Sequence, residues 1–126
     1  MVNPHFSLLD LAINISTTSN SKHRVGAVID GPYGYSMAVN DATKGHPKLK
    51  SLGYPPHANQ HAEFRLIEKY TVRGSAKGST VYIARTSVKG VIKTAFPCPA
   101  CEALLKKAGV KRIIYTTFTG AESKRL

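Results

Sequence analysis

Cysteine is scarce in this chain: there are two in 126 residues, Cys98 and Cys101, only three positions apart. That excludes a disulfide framework, because a bridge closing so small a loop constrains the unfolded chain little. Long apolar runs are missing as well. No stretch approaches the roughly 18–20 residues that a membrane span needs, so no membrane partner is expected. The opening residues, MVNPHFSLLDLAINIS, carry neither a basic leader nor a small-residue cleavage site, and the expected location is therefore the cytoplasm. Internal repeats and linkers are absent. A length of 126 residues suffices for one core and not for two, so a single domain over 1–126 is expected.

Acidic residues are few too, seven against eighteen Lys and Arg, for a formal charge of +11. Thirteen of the eighteen cations lie from His61 onward, against four acids. An excess of this size favours a polyanionic partner, either a nucleotide phosphate or single-stranded nucleic acid. The plainer reading, a solvated and solubilising surface, stands beside it.

Periodicity supplies the elements. FSLLDLAINISTT (6–18) sets Phe6, Leu9, Ala12 and Ile13 on one helical face, with Leu8 and Ile15 at its margins. VGAVI (25–29), the turn DGPYG and a second strand over 35–39 read as a β-hairpin. Residues 41–60 hold three prolines and two glycines with no period, which predicts a long loop on the substrate side. A helix follows from near His61, with Ala62, Leu66, Ile67 and Tyr70 on one side. STVYIAR (79–85) is a strand, SVKGVIKT (87–94) a hairpin excursion, and 99–108 a helix with Gly109 just past its end. RIIYT (112–116) is a last buried strand, and the tail 117–126 has too few apolar residues to assign. The order α-β-β-α-β-α-β predicts a three-layer α/β/α fold around one mixed central sheet.

Two motifs fall on helix starts in that layout: His61 and Glu63 in HANQHAEF (57–64), and both cysteines in FPCPAC (96–101). A C-x-x-C pair is either a redox couple or half of a metal site, and the upstream histidine favours the metal. A helix N-terminus lowers a thiolate pKa and favours the ionised form that a metal takes. His61, Cys98 and Cys101 then supply three zinc ligands, one ion per chain, and leave a fourth tetrahedral position for water. Glu63 stands beside that position without ligating and can shuttle its proton. A closed alternative adds His57, four residues before His61, as fourth ligand, which would make a zinc-stabilised nucleic-acid-binding module without activity. The prolines at 55 and 56 argue against helical spacing there, and the closed site leaves Glu63 without a task. His57 is otherwise at the pocket mouth or on the plain surface.

HAE (61–63) with PCPAC (97–101) resembles the H-x-E…P-C-x-x-C signature of the zinc-dependent cytidine/deoxycytidylate deaminases. The resemblance runs over roughly 20–116, from VGAVI through VYIAR to AGVKRIIY, and looks closest to small dCMP-deaminase-like proteins. It implies a cytidine-deaminase-like fold and hydrolytic deamination. A zinc-activated hydroxide attacks C4 of cytosine, and Glu63 passes protons to the ring nitrogen and to the departing ammonia. It further implies that Asn40, ending the second strand, holds the sugar, and that Ala62 offers its backbone to the base edge. Relatives are usually homo-oligomers. Phe96 departs from the Ser, Glu or Ala common before Pro-Cys, and is read either as a wall that stacks on the base or as core. Met-Ala-Val (37–39) replaces the usual Gly-aromatic, and a fifth strand and final helix are expected to be short or absent. The leading expectation is dCMP to dUMP. The first alternative is cytosine or adenine within single-stranded DNA or RNA.

Overall fold

The computed structural model describes residues 4–55 and 59–126. The helix α1 (Pro4–Ser16) stops where Ser16, Thr17 and Thr18 turn their hydroxyls back onto the carbonyls of Ile13, Asn14 and Ile15. Such local bonds compete with further helix. Then come β1 (Arg24–Gly31) and β2 (Gly34–Val39), a hairpin turned by Pro32 and Tyr33 with Gly34 at φ +90°.

The long segment that follows is no featureless loop. It contains one turn of helix, α2 (Lys48–Ser51), and its ends meet where the Asp41 N–H donates to the Gln60 carbonyl at 2.9 Å. After it come α3 (Ala62–Tyr70), β3 (Thr80–Thr86), the short β4 (Ile92–Lys93), α4 (Pro99–Lys107) and β5 (Arg112–Thr117). β4 pairs back onto β3, as the hairpin excursion requires.

The tail, unassigned by its composition and expected to offer at most a short fifth strand, forms β6 (Gly120–Arg125), six residues antiparallel to β5. All six are exposed. Main-chain pairing to an open edge, with no apolar pattern, makes this strand, which is why hydrophobic periodicity did not reveal it.

The sheet order is β2-β1-β3-β5-β6, with β4 at the side of β3. Only β3 and β5 run parallel; the sheet is mixed. Alternation divides its residues between two cores. Val28, Tyr82, Ala84 and Ile114 meet Leu9 and Ala12 of α1. On the other face Ala27, Ile29, Val81, Ile83 and Ile113 meet Leu66 and Ile67 of α3 and Leu105 of α4. Strands buried on both faces read as continuous apolar runs, and these do. The α/β/α layering expected from the element order is the observed one. Gly26 lets α1 approach, since a Cβ there would overlap the Ala12 carbonyl oxygen. No helix among the described residues is long and apolar enough to cross a membrane.

Candidate active site

Both motif helices begin at the same end of the sheet. Cys98 precedes Pro99, and a residue before proline is driven to extended backbone. Its φ −63° and ψ 161° are what an N-cap needs, with Pro99 fitting the first helical turn. Its Sγ accepts from the Cys101 N–H at 3.4 Å. His61 caps α3 in the same extended conformation, φ −70° and ψ 154°, so its ring faces the start of α4.

The ligand atoms converge. His61 Nδ1 lies 3.6 Å from Cys98 Sγ and 3.4 Å from Cys101 Sγ. A tetrahedral zinc with bonds of about 2.3 Å to sulfur and about 2.05 Å to nitrogen needs N···S separations of roughly 3.5 Å. The spacing and the soft N/S donor set therefore fit Zn²⁺, and among the described residues no fourth His, Cys, Asp or Glu joins this cluster. His57, proposed as fourth ligand or as a residue of the pocket mouth, lies outside the described residues.

Electrostatics fit a cation held between the two sulfurs. Without metal the two sulfurs share one charge. The bond from Cys101 brings the Cys98 thiol down to about 4, while the Cys98 thiolate and burial hold Cys101 protonated. The His61 pKa is raised, chiefly by its bond to Cys98. A divalent ion between the sulfurs lets both ionise.

Glu63, in the first turn of α3, is buried. Burial pushes its carboxyl up, against the pull of its own backbone N–H and of His61. It lines a cavity of about 350 Å³ shared with His61, Cys98, Asn40, Ala62 and Phe96. Five of the residues singled out from the sequence beyond the cysteine pair thus meet around one space, with Cys101 buried behind it.

Asn40 is fixed on three sides. Its Oδ1 accepts from the Val25 N–H at 2.9 Å and from Ser19 Oγ at 2.7 Å, and its Nδ2 donates to the His23 carbonyl at 2.7 Å. Among the described residues one amide hydrogen is left over. Phe96 is no core residue. It is 42% exposed on the cavity wall, edge-on to Tyr115, with Lys124 Nζ 5.1 Å above its ring.

Sequence reasoning missed three participants. Tyr54, in the long segment, is buried, with its hydroxyl 2.7 Å from Cys101 Sγ and its ring edge-on to His61. Leu49 of α2 packs with it on Phe64 and Cys101, so the long segment covers the cysteine side of the candidate metal cluster. Nothing local in SLGYPP announces this. Arg85 also lines the cavity, bonded to His23. The available signal was a cation ending the otherwise apolar run VYIA. The neighbouring Arg24 donates to the carbonyls of Ser21 and Thr17.

The family model of the cytidine and deoxycytidylate deaminase zinc-binding region matches residues 3–117. Solved structures resemble the fold. A dCMP deaminase from the cyanophage S-TIM5 has a TM-score of 0.64 at 22% identity over 92% of this chain and 86% of that one. A cytidine deaminase from Mycobacterium leprae gives 0.64 at 20% over 97% and 94%. That from Mycobacterium tuberculosis gives 0.62 at 14% over 96% and 90%. No curated protein sequence matches the chain.

Proposed function

The chain belongs to the cytidine and deoxycytidylate deaminase zinc-binding family and is a zinc-dependent hydrolytic deaminase, and from that premise we propose that it converts a cytosine nucleotide to the uracil nucleotide, of the type dCMP to dUMP. Zinc supplies a Lewis acid that lowers the pKa of a bound water from about 15.7 to about 7. The ligands in this reading are His61 Nδ1, Cys98 Sγ and Cys101 Sγ. Glu63 does the proton work. It would take one proton from the attacking water and deliver it to N3 of the ring. It would then take the second proton from the hydroxyl added at C4 and deliver it to the amine, which leaves as ammonia as the C4–N bond breaks and the carbonyl forms. Water and cytosine are thereby balanced by uracil and ammonia. A carboxyl whose affinity for protons is raised by burial suits a group that must hold a proton between two transfers.

The base lies against Phe96, the Ala62 N–H at the start of α3 meets its edge, and the spare Asn40 amide hydrogen meets a sugar hydroxyl. The closed, inactive zinc module is set aside by the family match. A base within a single strand is the second reading, favoured by a lysine-lined cleft next to the cavity.

The observation that carries the proposal is the pair of N···S separations, 3.4 and 3.6 Å, beside a buried carboxyl in one cavity. Its test is Glu63→Gln. The variant is expected to retain one zinc per chain and to lose deamination of dCMP by at least about 10²–10⁴-fold. Turnover within tenfold of the wild type would remove Glu63 from the mechanism.

A further inference from the structure

Arg85, near the end of β3, is a half-buried cation on the wall of the catalytic cavity. Its Nη2 lies 2.8 Å from His23 Nδ1. Because a guanidinium is always protonated, it donates and the ring nitrogen accepts, which puts the His23 proton on Nε2. The Nε of Arg85 is shut off from solvent and has no acceptor among the described residues. No carboxylate offsets the charge, since the ion pairs among the described residues are Lys48–Glu68 and Lys124–Glu102. A buried donor without a partner is costly, and a guanidinium with spare donors is shaped for an oxyanion.

Its position says which oxyanion. His23, which braces Arg85, also receives the Asn40 Nδ2–H on its carbonyl at 2.7 Å. The residue assigned to the sugar and the brace of the cation are therefore directly bonded. Arg85 and His23 line a second, adjoining cleft of about 290 Å³ as well, together with Lys22, Lys89 and Lys93 and without any acid. This positive charge adjoins the catalytic cavity through His23 and Arg85, and none of His61, Cys98 and Cys101 lines the cleft that holds it.

We propose that Arg85, positioned by His23, binds a phosphate esterified to the substrate's sugar and so makes the enzyme selective for phosphorylated cytidines over free nucleosides. The proposal rests on the deaminase reading of the same cavity. The lysine cleft gives further phosphates of the same chain somewhere to go, whether the phosphate is that of a free nucleotide or of a strand.

The test compares kcat/KM on deoxycytidine, dCMP and a pentanucleotide with one deoxycytidine among thymidines, for the zinc-loaded wild type and Arg85→Gln. The ratio of a phosphorylated substrate to deoxycytidine is expected to fall roughly 10- to 100-fold in the variant, the loss of a charge-assisted hydrogen bond. Arg85→Lys is expected to recover part of it. A preference for dCMP assigns the phosphate to a free nucleotide. A preference for the pentanucleotide that falls steeply with salt assigns it to a strand. An equal loss on deoxycytidine and on the phosphorylated substrates overturns the proposal, as does a wild type that favours deoxycytidine. A second readout does not need turnover: the Arg85 Nε–H resonance of the wild type, titrated with inorganic phosphate. A saturable shift upholds the site even if no cytosine compound is deaminated, which would sink the activity reading alone. No shift at saturating phosphate overturns the site whatever the enzyme deaminates.

Discussion

Tyr54→Phe removes a single oxygen atom, and the structure sets what that costs. The hydroxyl lies 2.7 Å from Cys101 Sγ in a buried position. Burial raises the phenol pKa, so it stays protonated, and toward a metal-bound thiolate it is the donor. The ring contacts to His61, centroids 5.0 Å apart, and to Phe64, 6.2 Å apart, survive the change. What is lost is a hydrogen bond to a charged group, worth about 1.5–3 kcal/mol in general. Zinc already withdraws part of the sulfur's charge, which places the effect toward the lower half of that range. Groups that steady metal ligands from behind typically account for about 10–100-fold in affinity. We expect zinc to bind roughly tenfold or more weakly, measured by competition with a chromophoric chelator at neutral pH. In the zinc-free protein Cys101 is a neutral thiol, so the same bond is weaker and the unfolding midpoint of the apo variant moves little. A zinc dissociation constant within twofold of the wild type would refute the reasoning.

Two further outcomes follow from geometry. Gly26→Ala drives a Cβ into the Ala12 carbonyl and to 2.8 Å from Ile15 Cγ1 where α1 crosses β1. A loss of about 1–3 kcal/mol in urea unfolding is expected, and an unchanged midpoint would mean that α1 can withdraw freely. In the zinc-free protein Cys98, with its pKa brought down to about 4, is a thiolate at pH 6, whereas Cys101 is not. Iodoacetamide at pH 6 should therefore label Cys98 alone, with the rate falling only as the pH drops through about 4, and bound zinc should block it. Equal labelling of both cysteines, read by peptide mass, would count against the shared charge.

What the amino-acid order reveals and what it hides divide along a physical line. VGAVI, VYIAR and RIIYT are legible because strands covered on both faces must be apolar throughout, and Pro99 and Gly109 bracket α4 through backbone restrictions that act within a residue or two. The cluster of His61, Cys98 and Cys101 that could hold a metal is legible for the same reason: its spacing is local to two helix starts. β6 is hidden because GAESKR is held by main-chain bonds to β5, which any non-proline sequence can make. Tyr54 and Arg85 are hidden because their partners, Cys101 and His23, stand 47 and 62 positions away and only the finished fold brings them near. Phe96 could be read either way on sequence grounds, and its exposure on the cavity wall removes the core reading.

The segment from Asp41 to Gln60 is fastened where its ends meet, and Leu49 and Tyr54 rest it on Phe64 and Cys101. Its roof over the centre is thus riveted to a sulfur that itself needs the ion to hold its charge. Stripping the metal would weaken this one contact, while the packing of Leu49 on Phe64 and the bridge between Asp41 and Gln60 would stay.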